Sequence, residues 1–489
     1  MAEHLQRRLS NRHVQLIAIG GAIGTGLFMG SGKTINLAGP SVLLVYAVIG
    51  VAMFFVMRAL GEVLLSDLEY KSFADMAEDL IGHWAGFFTG WTYYFCWLVT
   101  AVAEIVAITG YVHYWWPGLP LWVAPAVTVT VLLGLNLTTV RAFGEIEFWF
   151  SIIKIVAIMA LVVVGIVMVA IGFTSPNGHK ALVTNLWSDG GFFPNGFSGF
   201  AGAFQIAVFA FVGTELIGAT AAEAKDPEIT LPKAVNAIPI RIVLFYLGAL
   251  AAIMMVTPWR LVRPENSPFV SLFSLAGLAV AAGVVNFVVL TAASSSANSG
   301  IYSTSRMLYG LSVSSHAPRG FSHLSSRSVP GRALVVTCLA LLGSIPLLYV
   351  SKSIIEAFTA VTTVASILFI FIWCIIIACY LRYRTMRPER VAASQFRMPG
   401  GRVTAWLCIV FFIFIVWTLT QEEDTLIAVA LSPLWLVFMA VAWIVHRKTA
   451  HEVGGAHWPG ETETKEVTVV VARDDGSELI GRARPRQKR

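Results

Sequence analysis

Stretches of about 20 consecutive apolar residues recur along this chain from near its N-terminus to about residue 446, and nothing else in the sequence restricts the fold as much. Each is long enough to cross a hydrocarbon layer roughly 30 Å thick as a helix. Lipid offers no hydrogen bonds to an open backbone, so the spanning choices are helices or a closed barrel. Barrel strands would alternate apolar and polar residues, and segments such as Ile158 to Val169 do not alternate. The chain therefore reads as an all-α polytopic membrane protein. Only 13% of its 489 residues are charged, too few to cover a water-facing surface when a soluble domain carries about 25%.

About twelve spans are expected, at 15–35, 41–64, 85–112, 121–140, 148–172, 199–221, 238–257, 270–298, 332–350, 354–381, 404–420 and 426–446. With the N-terminus inside, Arg7, Arg8 and Arg12 share the cytoplasmic face with Arg319, Arg327 and Arg332, and with Arg382, Arg384, Arg387, Arg390, Arg397 and Arg402. That is the positive-inside bias. Opposite loops carry Gln421, Glu422, Glu423 and Asp424, with Arg260 and Arg263 as exceptions. The net charge of +6 thus follows membrane topology and gives no ground for a nucleic-acid partner. Both termini are expected in the cytoplasm. No small-residue cleavage site follows the basic start, which argues against a signal peptide. Beyond residue 446 the chain turns polar and ends in a basic cluster, expected to be a disordered tail touching anionic headgroups. The five cysteines lie in apolar runs without metal-ligand spacing and read as packing residues.

Two spans are irregular. The first holds Gly20, Gly21, Gly24 and Gly26 within seven positions; such clustering either lets a helix unwind or lets two helices approach closely. The sixth interrupts an apolar run with Gly213 and Glu215. Interrupted helices at corresponding places in two halves point to a transporter of inverted repeats, with residues 15–172 and 199–381 as the five-span halves. Residues 404–446 add two spans, 1–14 form a cytoplasmic segment and 447–489 the tail.

Ionisable residues deep in the spans are functional candidates. Glu104 either binds a substrate ammonium group or exchanges a proton, or is a protonated acid bonded within the bundle. Glu215 is the candidate for a proton-linked carboxylate. Lys154 stands about six residues into the expected fifth span, roughly 9 Å from its start, so it either snorkels to the interface or serves as a fixed cation inside. The run Thr291 to Gly300, with Ser295 as the candidate site residue, either lines a polar path or lets helices pack closely. Phosphate-binding loops, paired metal-binding histidines and serine-nucleophile elbows are missing, so an enzyme is not expected and transport would draw on an ion gradient or on exchange.

The run Asn11 to Phe28, then Met57 to Glu62, then Phe209 to Glu215 followed by Ala222 to Pro227, resembles in this order the amino acid–polyamine–organocation superfamily, specifically its bacterial amino acid permease branch. The likeness extends from about Leu9 to Val445. Met29 to Thr34, Leu68 to Phe73 and Ser295 to Gly300 look most like permeases of D-serine, D-alanine and glycine. The resemblance implies a leucine-transporter-like five-plus-five repeat with broken helices 1 and 6, and proton symport of small neutral amino acids, L-alanine included, across the bacterial inner membrane. It implies that Ile23, Gly24, Thr25 and Gly26 hold the substrate carboxylate and amine, and that Phe209, Ala210, Phe211 and Gly213 line the other side. Phe209 or Phe211 would gate the site. Lys154 would replace a sodium ion, Glu215 would be the acid of span six, and the proton would serve as coupling ion without metal or cofactor. The alternatives are a permease of the same branch for aromatic amino acids or γ-aminobutyrate, and a non-transporting amino acid sensor.

Overall fold

A computed structural model of the chain describes residues 24–68, 70, 72–137, 140–216, 218, 226–275, 277–325, 329–421, 423–452, 467–472 and 478–483. Ile23, the basic residues Arg7, Arg8, Arg12 and Arg327, Glu422, residues 222–225 and the last six residues lie outside them. The chain divides into two units, Met1–Leu436 and Val437–Arg489. In the second, β1 (Val467–Ala472) pairs antiparallel with β2 (Glu478–Ala483), Val467 opposite Ala483. The β-branched run Val467, Thr468, Val469, Val470, Val471 favours this pleat where the polar composition alone suggested a disordered tail.

The first unit is helical. A turn at Thr25–Phe28 precedes α1 (Gly30–Ala38), α2 (Val42–Ser66), α3 (Phe73–Leu80), α4 (His83–His113), α5 (Val123–Asn136), α6 (Val140–Ala170) and α7 (Gly196–Gly202). There follow α8 (Pro227–Asn236), α9 (Gly248–Val256), α10 (Pro268–Leu275), α11 (Ala279–Val313), α12 (Gly331–Leu341), α13 (Ile354–Met386), α14 (Gly401–Thr418) and α15 (Glu423–Glu452), the last running into the second unit. Among the described residues, nine helical stretches are long and apolar enough to cross a membrane, and Val123–Asn136 and Gly196–Phe211 are shorter apolar helices.

The helices differ from the apolar runs in ways that bear on the site. Glycine at position 277, with φ of +78°, ends α10 and separates it from α11, so the expected span at 270–298 begins in a different helix. α11 then continues through the small polar residues to Val313. Hydropathy reports what faces lipid, whereas Ser295, Asn298, Thr304 and Ser312 are buried against protein. α6 likewise starts at Val140 and takes in Glu147, which the expected span beginning at 148 leaves out. Helix α3 is too short to have been read as a span. It buries Phe73, Met76, Ala77 and Leu80 at helical spacing, and Ser72 and Asp75 cap its start reciprocally.

α4 is the centre of the bundle and lies along both α11 and α13. Its most apolar window is 67% buried against 28% for Gly401–Thr418, which places α14 at the periphery. The loop between α13 and α14 is strapped to α2: the buried Glu62 accepts the Met398 amide at 2.6 Å, and the Arg58 guanidinium lies 3.8 Å over the Phe396 ring. At the same end Arg390 pairs with Asp67 at 2.8 Å, and Arg387 and Tyr70 both bond Asp79.

Glu62→Ala leaves the buried Met398 amide without an acceptor and is expected to cost roughly 1–3 kcal/mol, seen as a lower melting temperature of the detergent-solubilised protein. Arg390→Ala, in a half-exposed pair, is expected to change the same measurement little.

Candidate functional site

Gly24 is extended, with φ of −122° and ψ of −164°, and precedes the single turn Thr25–Phe28; the chain then turns at Met29 into α1. A Cβ on Gly26 would lie 2.6 Å from Ala210 Cα and 2.7 Å from its nitrogen, so the two backbones touch with no side chain between them. A Cβ on Gly30 would meet Ile206 Cγ2 at 2.6 Å. The close-packing reading thus holds at Gly26, and Gly30 packs in the same way; Gly24 is extended, while Gly20 and Gly21 lie outside the described residues.

The facing break follows α7. Phe204–Ala207 runs into a 3₁₀ turn at Val208–Phe211, and the chain leaves helical conformation at Val212, with ψ of 138°, and at Gly213, with φ of +94°. Only glycine takes that φ without strain. The backbone groups released here find side-chain partners. Ala210 O accepts from Tyr246 Oη at 2.8 Å, and Gly213 N donates to Glu215 Oε2 at 3.1 Å. Tyr93 Oη of α4 reaches Glu215 Oε1 at 3.4 Å. Tyr246 stands on a π-helical stretch, Ile242–Leu247, and its ring stacks on Phe211 at 5.0 Å and 11°.

Between the breaks lies a small cavity, with room for about one water molecule, lined by Gly24, Gly26, Trp97, Thr100, Glu104, Phe209, Ala210, Val212 and Ser296. Five of the sequence-derived candidates meet there: Gly24, Gly26, Glu104, Phe209 and Ala210. Phe209 is on the wall, edge-on to Phe358 at 6.1 Å, whereas Phe211 turns away to Tyr246. Thr25 is buried beside Glu104. Gly213 sits at the break but off the wall, where Val212 stands instead. Ser295 also points elsewhere, and its neighbour Ser296 faces the cavity. Trp97, Thr100 and Glu104 share one face of α4 at helical spacing, a pattern legible from Glu104 outward but not used in the sequence reading.

One charged residue, Glu104, is on this wall, and Lys154 and Glu147 lie behind it. Glu104 is 1% exposed and faces Thr25, Ser296 and Lys154. A Cβ at Gly24 would come within 3.0 Å of its Oε1, so glycine leaves the carboxylate open to the cavity. Lys154 is also 1% exposed and lies within electrostatic reach of Glu147 and Glu104, inside the bundle rather than at an interface. Glu147 is absent from the sequence candidates. Its Oε2 accepts from Ser295 Oγ at 2.7 Å and its Oε1 from Asn298 Nδ2 at 2.8 Å. Glu215 is fully buried but off the cavity, beside Tyr93 and Trp373. Among the described residues, no group of three or more His, Cys, Asp or Glu is placed to hold a metal ion.

An interrupted helix facing the extended backbone at Gly24, with buried charges beside it, is an arrangement suited to a small polar solute inside a helical bundle. The profile of the amino acid permease family matches residues 13–452. The chain belongs to this family. As a permease it is a multi-pass membrane transporter and not an enzyme, in keeping with relatives that are named as transporters. The D-serine/D-alanine/glycine transporter of Escherichia coli strain K12 is 58% identical over 452 residues, covering 92% of this chain and 96% of the relative. The amino-acid permease AapA of Bacillus subtilis is 48% identical over 451 residues, covering 92% and 97%.

In this permease Gly26→Ala sets a methyl group into the Ala210 backbone and is expected to abolish amino acid binding, measured by isothermal titration on folded protein. Tyr246→Phe removes the donor to Ala210 O, a loss of about 1 kcal/mol, and is expected to weaken binding by roughly fivefold while leaving the ring stack in place.

Proposed function

We propose that this permease imports D-alanine, D-serine and glycine, with L-alanine and close analogues, by proton symport across the bacterial inner membrane. The observation that carries the reading is the cavity closed by Trp97 and Phe209, with the Glu104 carboxylate on one wall and the unwound backbone of Gly24 and Gly26 on another. A zwitterion fits that polarity: its ammonium group pairs with Glu104 and its carboxylate takes the unwound segment, while the two rings fill the space an aromatic side chain would need. The naming of a 58% identical relative for D-serine, D-alanine and glycine supports the same substrates.

On this reading the molecule has twelve spans, five plus five in inverted repeats with two added, and both termini in the cytoplasm. Gly24, Thr25, Gly26, Phe209 and Ala210 surround the substrate, and one bundle rocks about them to alternate access. Lys154 occupies the place of a coupling metal ion. Its buried position between two carboxylates supports gain and loss of a proton during the cycle. Glu215, bonded to the break at Gly213, would link its own protonation to the shape of that break, and Glu104 would carry the proton or the substrate ammonium group. No cofactor is needed beyond the proton.

The test is uptake of radiolabelled D-alanine by proteoliposomes under an inward proton gradient. Accumulation that a protonophore abolishes, and that D-serine and glycine but not phenylalanine inhibit, is the expected result. Gradient-driven uptake of phenylalanine or γ-aminobutyrate instead would overturn the substrate, and folded protein that binds but moves no amino acid would indicate a sensor. Glu104→Gln removes a charge-assisted bond of roughly 1.5–3 kcal/mol and is expected to raise KM for D-alanine ten- to hundredfold.

A further inference from the structure

We infer that Glu147 is a positioning residue that holds the Lys154 ammonium group from behind, clamped in turn by Ser295 and Asn298, so that Glu104 is free to exchange partners. The inference deepens the proton-coupled reading above and rests on it for the role of Lys154. Residues 147 and 154 are seven apart on α6, two helical turns, and so share one face. Glu147 is 3% exposed, and each of its oxygens accepts one of the two bonds described above, both from α11. The clamp is itself anchored, since Asn298 Oδ1 accepts from Asn136 Nδ2 of α5 at 2.7 Å, and Asn136 Nδ2 also reaches Leu132 O at 2.9 Å. Ser295 and Asn298 lie three apart on α11 and face Glu147, while Ser296 between them faces the cavity.

Among the described residues, two carboxylates lie within electrostatic reach of the lysine. Glu147 comes from its own helix, with Glu145 only half-buried two residues earlier, and Glu104 from α4. Toward this network α11 and α5 contribute the uncharged polar side chains Ser295, Asn298 and Asn136, α9 is apolar throughout, and the π-helical stretch offers Tyr246, which bonds Ala210. A buried ammonium group stripped of its counter-charge is strongly disfavoured. If Glu104 were its sole partner, a substrate ammonium group arriving at Glu104 would strip it. A second carboxylate, oriented by neutral donors on α11 and away from the cavity, removes that conflict and lets the lysine keep its charge while the cavity fills.

Counterflow exchange of D-alanine in proteoliposomes, followed across pH without a gradient, tests this. Glu147→Gln keeps the shape but removes the charge, so more acid is needed to keep the lysine protonated. The pH midpoint of exchange is expected to fall by about one unit or more, with exchange preserved at the acid plateau and Glu147→Asp restoring most of the shift. Ser295→Ala, which leaves the charge and loosens the clamp, is expected to shift it less in the same direction, and stands in if Glu147→Gln does not fold. A folded Glu147→Gln protein with the wild-type midpoint overturns the inference. The pairing is read separately from melting temperatures of Glu147→Gln, Lys154→Met and the double variant, where additive losses also overturn it. Exchange by the wild type that ignores pH, together with non-additive losses, would overturn the proton coupling and leave the pairing standing.

Discussion

Every backbone donor and acceptor inside a bilayer needs a partner from within the protein, and the irregular backbone at Gly24 and at Val212 and Gly213 is possible only because that demand is met. Ala210 O goes to Tyr246, the Gly213 amide to Glu215, and Phe28 O to Ser267 at 2.6 Å. Tyr246 and Ser267 come from other segments and Glu215 from the break itself, so the breaks are held both by the bundle and by their own sequence. Gly26 completes the arrangement by letting the turn at Thr25–Phe28 rest on the backbone of Ala210. The cavity is what remains beside the irregular backbone of these two segments.

The buried charges follow the same logic of supply. Glu104, Lys154 and Glu147 form a row leading from the cavity into the gap between α6 and α11. Hydroxyl and amide side chains serve them from α11, which is why that helix can be small and polar for so long without facing water. The polar run at Ser294 to Gly300 thus combines what the sequence left as alternatives: Ser296 borders the cavity, Ser295 and Asn298 hold a carboxylate, and a Cβ on Gly300 would lie 3.3 Å from the Ala101 methyl of α4, so it lets that helix approach.

Much of this was legible beforehand where the signal is chemical. A carboxylate in an apolar run, glycines clustered in a span and a glycine beside an acid all marked positions that the structure brings to the breaks. What was not legible depends on helical phase and on helix ends. Adjacent residues on a helix point about 100° apart, so Ser295 and Ser296, or Phe209 and Phe211, could not be told apart without knowing the rotation of their elements. Glu147 was missed because hydropathy placed the start of its span at 148, inside a helix that begins at Val140. Tyr246 was missed because an aromatic in an apolar run looks like any packing residue, and the π-helical turn that aims its hydroxyl leaves no mark in the pattern. Trp97 and Thr100 were hidden for the first of these reasons, although their spacing from Glu104 was in view.

The walls of the cavity are of two kinds, and they differ in what evolution or design can do with them. Gly24, Gly26 and Ala210 present backbone, and Gly26 has no room for even one more carbon. Backbone presents the same groups whatever the side chain, and Gly26 cannot be changed without dismantling the contact with Ala210. Trp97, Thr100, Val212 and Ser296 are side chains on continuous helices or just beside a break, free to vary in size and polarity. A lineage that changes its diet, or an engineer seeking a new cargo, has these four positions to work with, while the rest of the cavity stays the same machine.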